Sequence, residues 1–379
     1  MKNVFEHLRD MGTEAPRLYI NATGAGAGLQ NIIWSVPGIS NFFVGARMPY
    51  DTEETAELLG FTPDKFVSAD TAIDLAMTAY MKAWAPGRKA VGLGLTCSVA
   101  STREHRGDHR VIAAVFGDDS CWVASVVIPK GVGAEQRHKD GELSDHIAQE
   151  LLAFFVGPNP GCLDFLAPGC EITLCEASDL ARKRLFAHPL FWADGTRAPV
   201  SELDPTKAII FAANLNPPHP GHFGAAEASA QVVARKMGQA RKVVFATTAT
   251  HPTKPALTTA ECLQRARLMK GRSLLITEGD GLYIEKARKF PGAVFAMGAD
   301  AALRLVDPQW GPVKEHLAEF KRLGTRFMVS HRMVGDRLLK CGRLLHDNWD
   351  VVGGSTHLFE EVDFHLDISS TQLREQAAK

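Results

Sequence analysis

Two imidazoles three residues apart, in the stretch Asn216-Pro217-Pro218-His219-Pro220-Gly221-His222-Phe223-Gly224, are the side chains of this sequence best placed to do chemistry. A histidine near neutral pH donates and accepts hydrogen bonds without a permanent full charge, which suits it to phosphate oxygens. The residues before the stretch, 208–213, are a short apolar run that reads as a buried strand. Those after it, 225–236, have the composition and spacing of a helix. The histidines therefore stand in a Pro/Gly-rich turn at a helix N-terminus, where backbone N–H groups and the helix dipole favour anions. The prolines fix backbone angles, and Gly221 lets a ligand approach the main chain. The arrangement predicts a triphosphate site. Read from the residues alone, it also fits two loop histidines that only cap a helix.

The elements around the turn repeat in a simple order. After the 208–213 strand come a helix over 222–236, strands over 242–247, 273–276 and 293–297, and helices over 258–270 and 281–289 between them. Alternation of this kind implies a parallel sheet with right-handed crossovers, and ligands of such sheets sit beyond the carboxyl ends of the strands. His219 and His222 follow the first strand, Lys254 follows the second, and Gly298 and Asp300 follow the 293–297 strand, with Trp310 a little later. Asp300 also fits the N-cap of a helix over 301–306, and Trp310 also fits a core position.

Asn-Pro-x-His-x-Gly-His after a strand resembles the signature of the HxGH nucleotidylyltransferases. Near the C-terminus, Ile368-Ser369-Ser370-Thr371-Gln372-Leu373-Arg374 resembles that family's ISSTxxR motif. The two stand in the family's order, roughly a domain apart. Gly298, Asp300 and Trp310 are similar to the Gly-x-Asp and tryptophan of the nicotinamide mononucleotide (NMN) adenylyltransferases. His251-Pro252-Thr253-Lys254-Pro255, with Leu257 and Arg265, resembles their middle segment. The resemblance implies transfer of adenylate from ATP to NMN or its nicotinate form, with release of pyrophosphate, in NAD biosynthesis or salvage. It implies His219, His222 and Arg374 as catalytic residues. Asn216, Gly221, Ser369, Ser370, Thr371 and Lys254 would bind ATP, Gly298, Asp300 and Trp310 would bind the mononucleotide, and Mg²⁺ would arrive with ATP. Another phosphorylated acceptor stays open. A phosphate is already a nucleophile at neutral pH, so such a reaction needs positioning and charge neutralisation and not a general base.

The first 155 residues read as a separate α/β domain. A strand over 17–21 runs into Ala22-Thr23-Gly24-Ala25-Gly26-Ala27-Gly28, a glycine-rich turn that opens a helix. Such a turn can face its amides to an anion, and tight strand–helix packing needs glycines as well. Strands over 42–46 and 90–96, helices over 52–59 and 70–84, an antiparallel pair over 110–116 and 120–129, and a long helix over 142–155 follow. Arg103, Arg106 and Arg110 make a cluster suited to a phosphate or simply to solvent.

Through Ser35-Val36-Pro37-Gly38, Tyr50, Leu58-Leu59-Gly60, Val67-Ser68 and the strand ending at Thr96, this part resembles the CinA C-terminal domain family, some of whose members deamidate NMN. It departs where that chemistry lies. The family's Glu-Ser pair reads Ala22-Thr23 here, and its Tyr-Ser-Asn-Glu-Ala-Lys reads Tyr50-Asp51-Thr52-Glu53-Glu54-Thr55, so the lysine is Thr55. The resemblance implies Thr23, Tyr50, Thr96 and Arg103 as site candidates. Thr23 would be a hydroxyl nucleophile needing a base, with His105, His109 or Tyr50 in question. A bifunctional deamidase–adenylyltransferase stands beside an adenylyltransferase with an inert or binding first domain.

At 379 residues the chain suits two domains, or three. The division is 1–155, a turn-rich connector over 156–205, and 206–379. The fold class is α/β, a CinA C-terminal-like domain followed by a Rossmann-like parallel-sheet HxGH nucleotidylyltransferase domain. A net charge of −1 leaves no basic footprint for nucleic acid. No apolar run reaches the roughly 18 residues of a membrane span, and the N-terminus lacks a signal-peptide core. Seven scattered cysteines suit reduced thiols in a cytoplasmic protein. Cys162, Cys170, Cys175 and His188 lack a C-x-x-C pair and read as inert rather than zinc-binding, so no metal residue is assigned. The expected partners are ATP and a pyridine mononucleotide, with neither nucleic acid nor membrane, and a homo-oligomer is left open.

Overall fold

The computed structural model describes residues 3–104, 106–157, 170–251 and 253–377. The chain is an α/β protein of two compact units, Met1–Ala187 with Thr258–Arg267, and His188–Leu257 with Leu268–Lys379. Among the described residues no helix is long and apolar enough to cross a membrane.

The first unit runs α1 (Val4–Asp10), β1 (Arg17–Thr23), α2 (Ala27–Trp34), β2 (Phe43–Arg47), α3 (Thr52–Leu59), α4 (Ala69–Ala83), β3 (Ala90–Ser98), β4 (His109–Gly117), β5 (Cys121–Ile128), α5 (Gly133–Val156), β6 (Glu171–Glu176) and α6 (Ser178–Ala187). Its sheet has the order β2-β1-β3-β4-β5-β6. β1 pairs parallel with β2 and β3, and the remaining pairs are antiparallel. Helix boundaries follow local chemistry. Asp51 accepts the Glu53 amide at 2.7 Å to start α3, and Gly60 ends it in the left-handed conformation. Ser68 accepts the Thr71 amide at 3.1 Å to start α4, which is buried along most of its length. Helix α5 begins nine residues before the expected 142. Its first turns, Gly133-Ala134-Glu135-Gln136-Arg137-His138-Lys139, are too polar to show a helical apolar stripe.

The second unit continues β7 (Leu190–Phe191), β8 (Arg197–Ala198), β9 (Ala208–Ala212), α7 (Pro220–Met237), β10 (Lys242–Thr248), α8 (Thr259–Leu268), β11 (Leu274–Thr277), α9 (Tyr283–Lys289), β12 (Val294–Gly298), α10 (Ala299–Val306), α11 (Val313–Arg322), β13 (Arg326–Ser330), β14 (Arg332–Val334), β15 (Arg337–Leu339), α12 (Cys341–Asp347), α13 (Trp349–Val352), β16 (Phe359–Val362) and α14 (Ser370–Ala377). Of these elements α8, apart from Leu268, belongs to the first unit. The main sheet has the order β16-β13-β12-β9-β10-β11-β7-β8. Its six strands from β16 to β11 are parallel, and β7 and β8 add an antiparallel edge. Counted from β9, the parallel strands read 3-2-1-4-5-6, the doubly wound order, whose reversal falls between β9 and β12. Phe295, Phe327, Ile210, Leu275 and Leu317 are fully or almost fully buried in its core.

The described part of the 156–205 connector divides between the two units and does not pack on one. β6 extends the first sheet antiparallel to β5. Arg184 on α6 donates to the fully buried Asp74 of α4 at 2.6 and 2.9 Å and to Asp70 at 3.2 Å. Leu190 and Phe191, buried, instead carry the chain onto the second sheet. Apolar residues in a connector need a sheet edge to cover them, and each half takes a different edge.

Candidate functional site

β9 delivers the chain to the reversal point of the second sheet, and the Asn216–Gly224 turn follows it. His219 is the N-cap of α7, and Pro220 opens the helix, where a missing N–H costs nothing. The His219 amide donates to His222 Nδ1 at 3.3 Å, and the His222 amide donates to the His219 carbonyl at 2.9 Å. With Nδ1 accepting, a neutral His222 carries its proton on Nε2. The two rings stack, 3.7 Å between centroids and 27° between planes. Phe211 meets the His222 ring edge to face. Burial pushes the His222 imidazole down to a pKa of about 3, with His219 and Arg332 adding repulsion. Burial and then Arg332 also lower His219. Both rings are thus neutral hydrogen-bonding groups at pH 7. His219 is only 3 % exposed, and its Nδ1 has no hydrogen-bond partner among the described residues. A β-carbon on Gly221 would stand 3.0 Å from that Nδ1 and 3.0 Å from Ile368 Cγ2. The glycine therefore lets the His219 ring and the C-terminal segment close on the first turn of α7.

That segment is the second motif. Ser369 caps α14, accepting the Gln372 amide at 3.2 Å while Gln372 Oε1 accepts the Ser369 amide at 2.7 Å. Ser370 Oγ donates to the Pro217 carbonyl at 2.9 Å. Arg374 donates to the Asn216 carbonyl and, at 3.1 Å, to the Thr371 hydroxyl. The structure thus joins Asn216, Gly221, Ser370, Thr371 and Arg374 to the two histidines, across about 150 residues of chain.

Gly298 ends β12 on the other side of the reversal point and is itself the N-cap of α10, so Asp300 lies in the first helical turn and is not the cap. Asp300 is exposed, with Oδ1 folded back over Gly298. Trp310 is half-buried at a shallow cleft with His251, Tyr283, Arg304 and His316, and is not a core residue. The Arg304 guanidinium lies 5.5 Å from the centre of the Trp310 ring. Lys254 belongs to this side, since its amide donates to the His251 carbonyl at 3.3 Å. No residue lining the cleft comes from the histidine turn. Pro252 lies outside the described residues.

One residue of the site escaped the sequence reading. Arg332, just past β13, donates through Nη1 to the Ile368 carbonyl at 2.9 Å. Its β-carbon stands 3.9 Å from where a Gly298 β-carbon would be, and its charge is felt by both histidines. It thus bonds residue 368, lies beside Gly298 and acts on the histidine pair through its charge. The available signal was its position after the apolar run Phe327-Met328-Val329, where a strand of such a sheet ends.

The first unit has a cleft of about 600 Å³ beside the glycine-rich turn, with Tyr50, Asn31, Arg137, His138, Glu142 and Asp145 among its lining residues. Of the four candidates there, only Tyr50 lines it. Arg137 donates to the Tyr50 hydroxyl at 3.0 Å and to the Ala100 carbonyl at 2.9 Å. Thr23 is buried at the end of β1, in register with Thr96 of β3. The Thr96 hydroxyl is committed to the Phe66 carbonyl at 2.6 Å. Arg103 is exposed outside the cleft, and Arg110 is paired with Asp108 at 3.1 Å, so the arginine run is solvated. His109 is buried, 3.4 Å from Asp140, and does not line the cleft. His105 and Cys162 lie outside the described residues. At the N-terminus of α2, which borders this cleft, a carboxylate of the fold is already in place. The Asp145 carboxylate of α5 stands against the first turn of α2; its burial pushes the pKa up to about 6, against the opposing pull of the Leu29 and Gly28 backbone. A β-carbon on Gly28 would fall 2.0 Å from Asp145 Oδ2, so the glycine admits the carboxylate.

The structure thus defines an α/β protein with a doubly wound second unit and polar groups gathered where its strand order reverses. No known family model matches the chain, and no curated protein matches it. Among solved structures it is similar to a competence or damage-inducible protein from Enterobacter asburiae, at 18% identity and a TM-score of 0.31, over 40% of this chain and 98% of that one. That likeness is slight and carries no functional weight.

Proposed function

We propose that this chain is an adenylyltransferase that joins ATP to nicotinamide or nicotinate mononucleotide and releases pyrophosphate. The observation that carries the reading is the union of two distant motifs. Ser370 and Arg374 bond the carbonyls of Pro217 and Asn216, beside a stacked neutral histidine pair at the N-terminus of an 18-residue helix. That constellation suits a triphosphate, whose charge is met by helix amides, neutral N–H donors and guanidinium groups.

In this reading an oxygen of the mononucleotide phosphate attacks the α-phosphorus of ATP in line. The bond to the bridging oxygen breaks, and pyrophosphate leaves with the electron pair. His222, donating from Nε2, and the α7 amides would stabilise charge on the phosphates as it shifts toward the leaving group. Arg374 and the 369–371 hydroxyls would hold the β- and γ-phosphates. Gly298, Asp300 and Trp310 would receive the mononucleotide, with Lys254 as an outer cation. Mg²⁺ would supply charge neutralisation on the triphosphate. Arriving with ATP, it would be held largely by phosphate oxygens and water.

The test is purified full-length protein with Mg²⁺, ATP and each mononucleotide, following pyrophosphate and ammonia together, with His222→Ala alongside. Pyrophosphate with either mononucleotide, lost in the variant, is the expected result. Its absence with both would overturn the acceptor, and CTP and other phosphorylated acceptors would then be tried. Ammonia released from NMN would add a deamidase activity to the first unit.

A further inference from the structure

Four observations at the N-terminus of α7 bear on whether an anion binds there and on what would meet its charge. His219 Nδ1 is buried, lacks a partner and faces the first turn of the helix at Gly221. Both imidazoles are neutral, so they bring hydrogen bonds but no charge. Arg374, the cation named by the sequence motif, is exposed and already bonded to Asn216 and Thr371. Arg332 is half-buried, and the hydrogen bond it makes among the described residues, from Nη1 to Ile368, leaves the rest of its five-donor fork for another acceptor.

We propose that Arg332 is the principal cation of this anion site, a catalytic residue that takes a phosphate oxygen directly between the histidine turn, the end of β12 and residue 368. The inference rests on the adenylyltransferase reading only for the identity of the ligand, since the anion site is argued from the geometry. A guanidinium that is partly desolvated and held at one nitrogen loses little freedom on binding. It also interacts with phosphate more strongly than an exposed, solvent-screened one. Within electrostatic reach of two uncharged imidazoles, it supplies the charge that they do not.

The experiment compares wild type, Arg332→Met and Arg332→Lys by titration calorimetry with inorganic tripolyphosphate and with MgATP, at two salt concentrations. Limited proteolysis of residues 368–377 is followed in the same samples. We expect wild type to bind both ligands. Arg332→Met should bind each about 10- to 100-fold more weakly, the loss of one charge-assisted contact. Its affinity should depend less on salt, and cleavage at 368–377 should be unchanged. Arg332→Lys should recover part of the affinity and the salt dependence. Binding by Arg332→Met equal to wild type would overturn the inference. So would weaker binding with unchanged salt dependence and a newly cleaved 368–377 segment, which would make Arg332 a tether. Tripolyphosphate binding that depends on Arg332, without any adenylyl transfer by wild type, would sink the adenylyltransferase reading and leave the anion site standing. Failure of wild type to bind either ligand would remove both.

Discussion

This chain contains two strand–turn–helix units of the same local design, and they end in opposite states. After β1, a glycine-rich turn opens α2, and the Asp145 carboxylate of α5 occupies the helix N-terminus. After β9, a Pro/Gly turn opens α7, and among the described residues no carboxylate is bonded there; stacked imidazoles stand at it with an unpartnered Nδ1, while Arg374 and Arg332 bond the carbonyls of Asn216 and Ile368. Both helices have the same tendency to attract an anion. One is satisfied within the fold, and the other is left for a ligand. The difference lies in what a distant element brings to the turn, not in the turn itself.

The largest effect expected from this contrast is on transfer. His222→Ala should lower adenylyl transfer about 100-fold or more, as loss of a transition-state donor does. Asp145→Asn should leave it unchanged. Steady-state pyrophosphate release with both variants is the check. A substantial loss in Asp145→Asn would show that the first turn is not merely a closed structural counterpart.

The two turns should also respond to pH with opposite signs. Asp145 has a folded-state pKa of about 6, above its unfolded value of 3.8. Between those values the folded state keeps a proton that the unfolded state has lost, so this carboxyl's contribution to stability falls as pH rises through 4 to 6. His222, at about 3 against 6.5, does the reverse. There the unfolded state holds the extra proton, and stability rises as pH rises through 3 to 6.5. Urea unfolding of Asp145→Asn from pH 4 to 7 should lose the falling component, roughly 2 kcal/mol. His222→Asn should lose the rising one. NMR should show no His222 titration above pH 4; a midpoint near 6.5 would contradict the neutral pair.

Gly28→Ala sharpens the comparison at a single atom. Its methyl group would displace the Asp145 carboxylate from 2.0 Å, costing roughly 2 kcal/mol through overpacking and a poorly paired buried charge. Gly221→Ala meets His219 and Ile368 at 3.0 Å, where a small shift suffices, so it should weaken phosphate binding more than folding. Thermal denaturation beside tripolyphosphate titration separates the two. Equal destabilisation would mean that both turns are packing devices.

How much of this was legible in the sequence follows from range. The histidine turn, its strand and helix, and the 368–374 segment are coded by adjacent residues, and so were the stop of α3 at Gly60 and the cap of α4 at Ser68. Asp145 and Arg332 are single charged residues in unremarkable contexts, and only the fold places them at the turns. The first turns of α5 were hidden because a polar helix has no apolar rhythm. That same concealed stretch holds Arg137 and His138, so of the cleft's lining only Tyr50 was named beforehand, beside Thr23, Thr96 and Arg103, which do not line it.

The smallest effect tests whether the second turn depends on its own distant element. Ser370 Oγ, donating to the Pro217 carbonyl at 2.9 Å, is, among the described residues, one of three side-chain links between the 368–377 segment and the rest of the site, and α14 buries none of its described side chains. Ser370→Ala removes one neutral hydrogen bond near solvent, worth about 1 kcal/mol. If the segment acts as a ligand-side cover, that loss should appear as a KM for ATP raised about threefold to fivefold with kcat nearly unchanged, and the melting temperature should hold. If it appears in kcat instead, the hydroxyl contributes to the transition state. If it appears only in the melting temperature, residues 368–377 serve the second turn as Asp145 serves the first, as a built-in part of the fold.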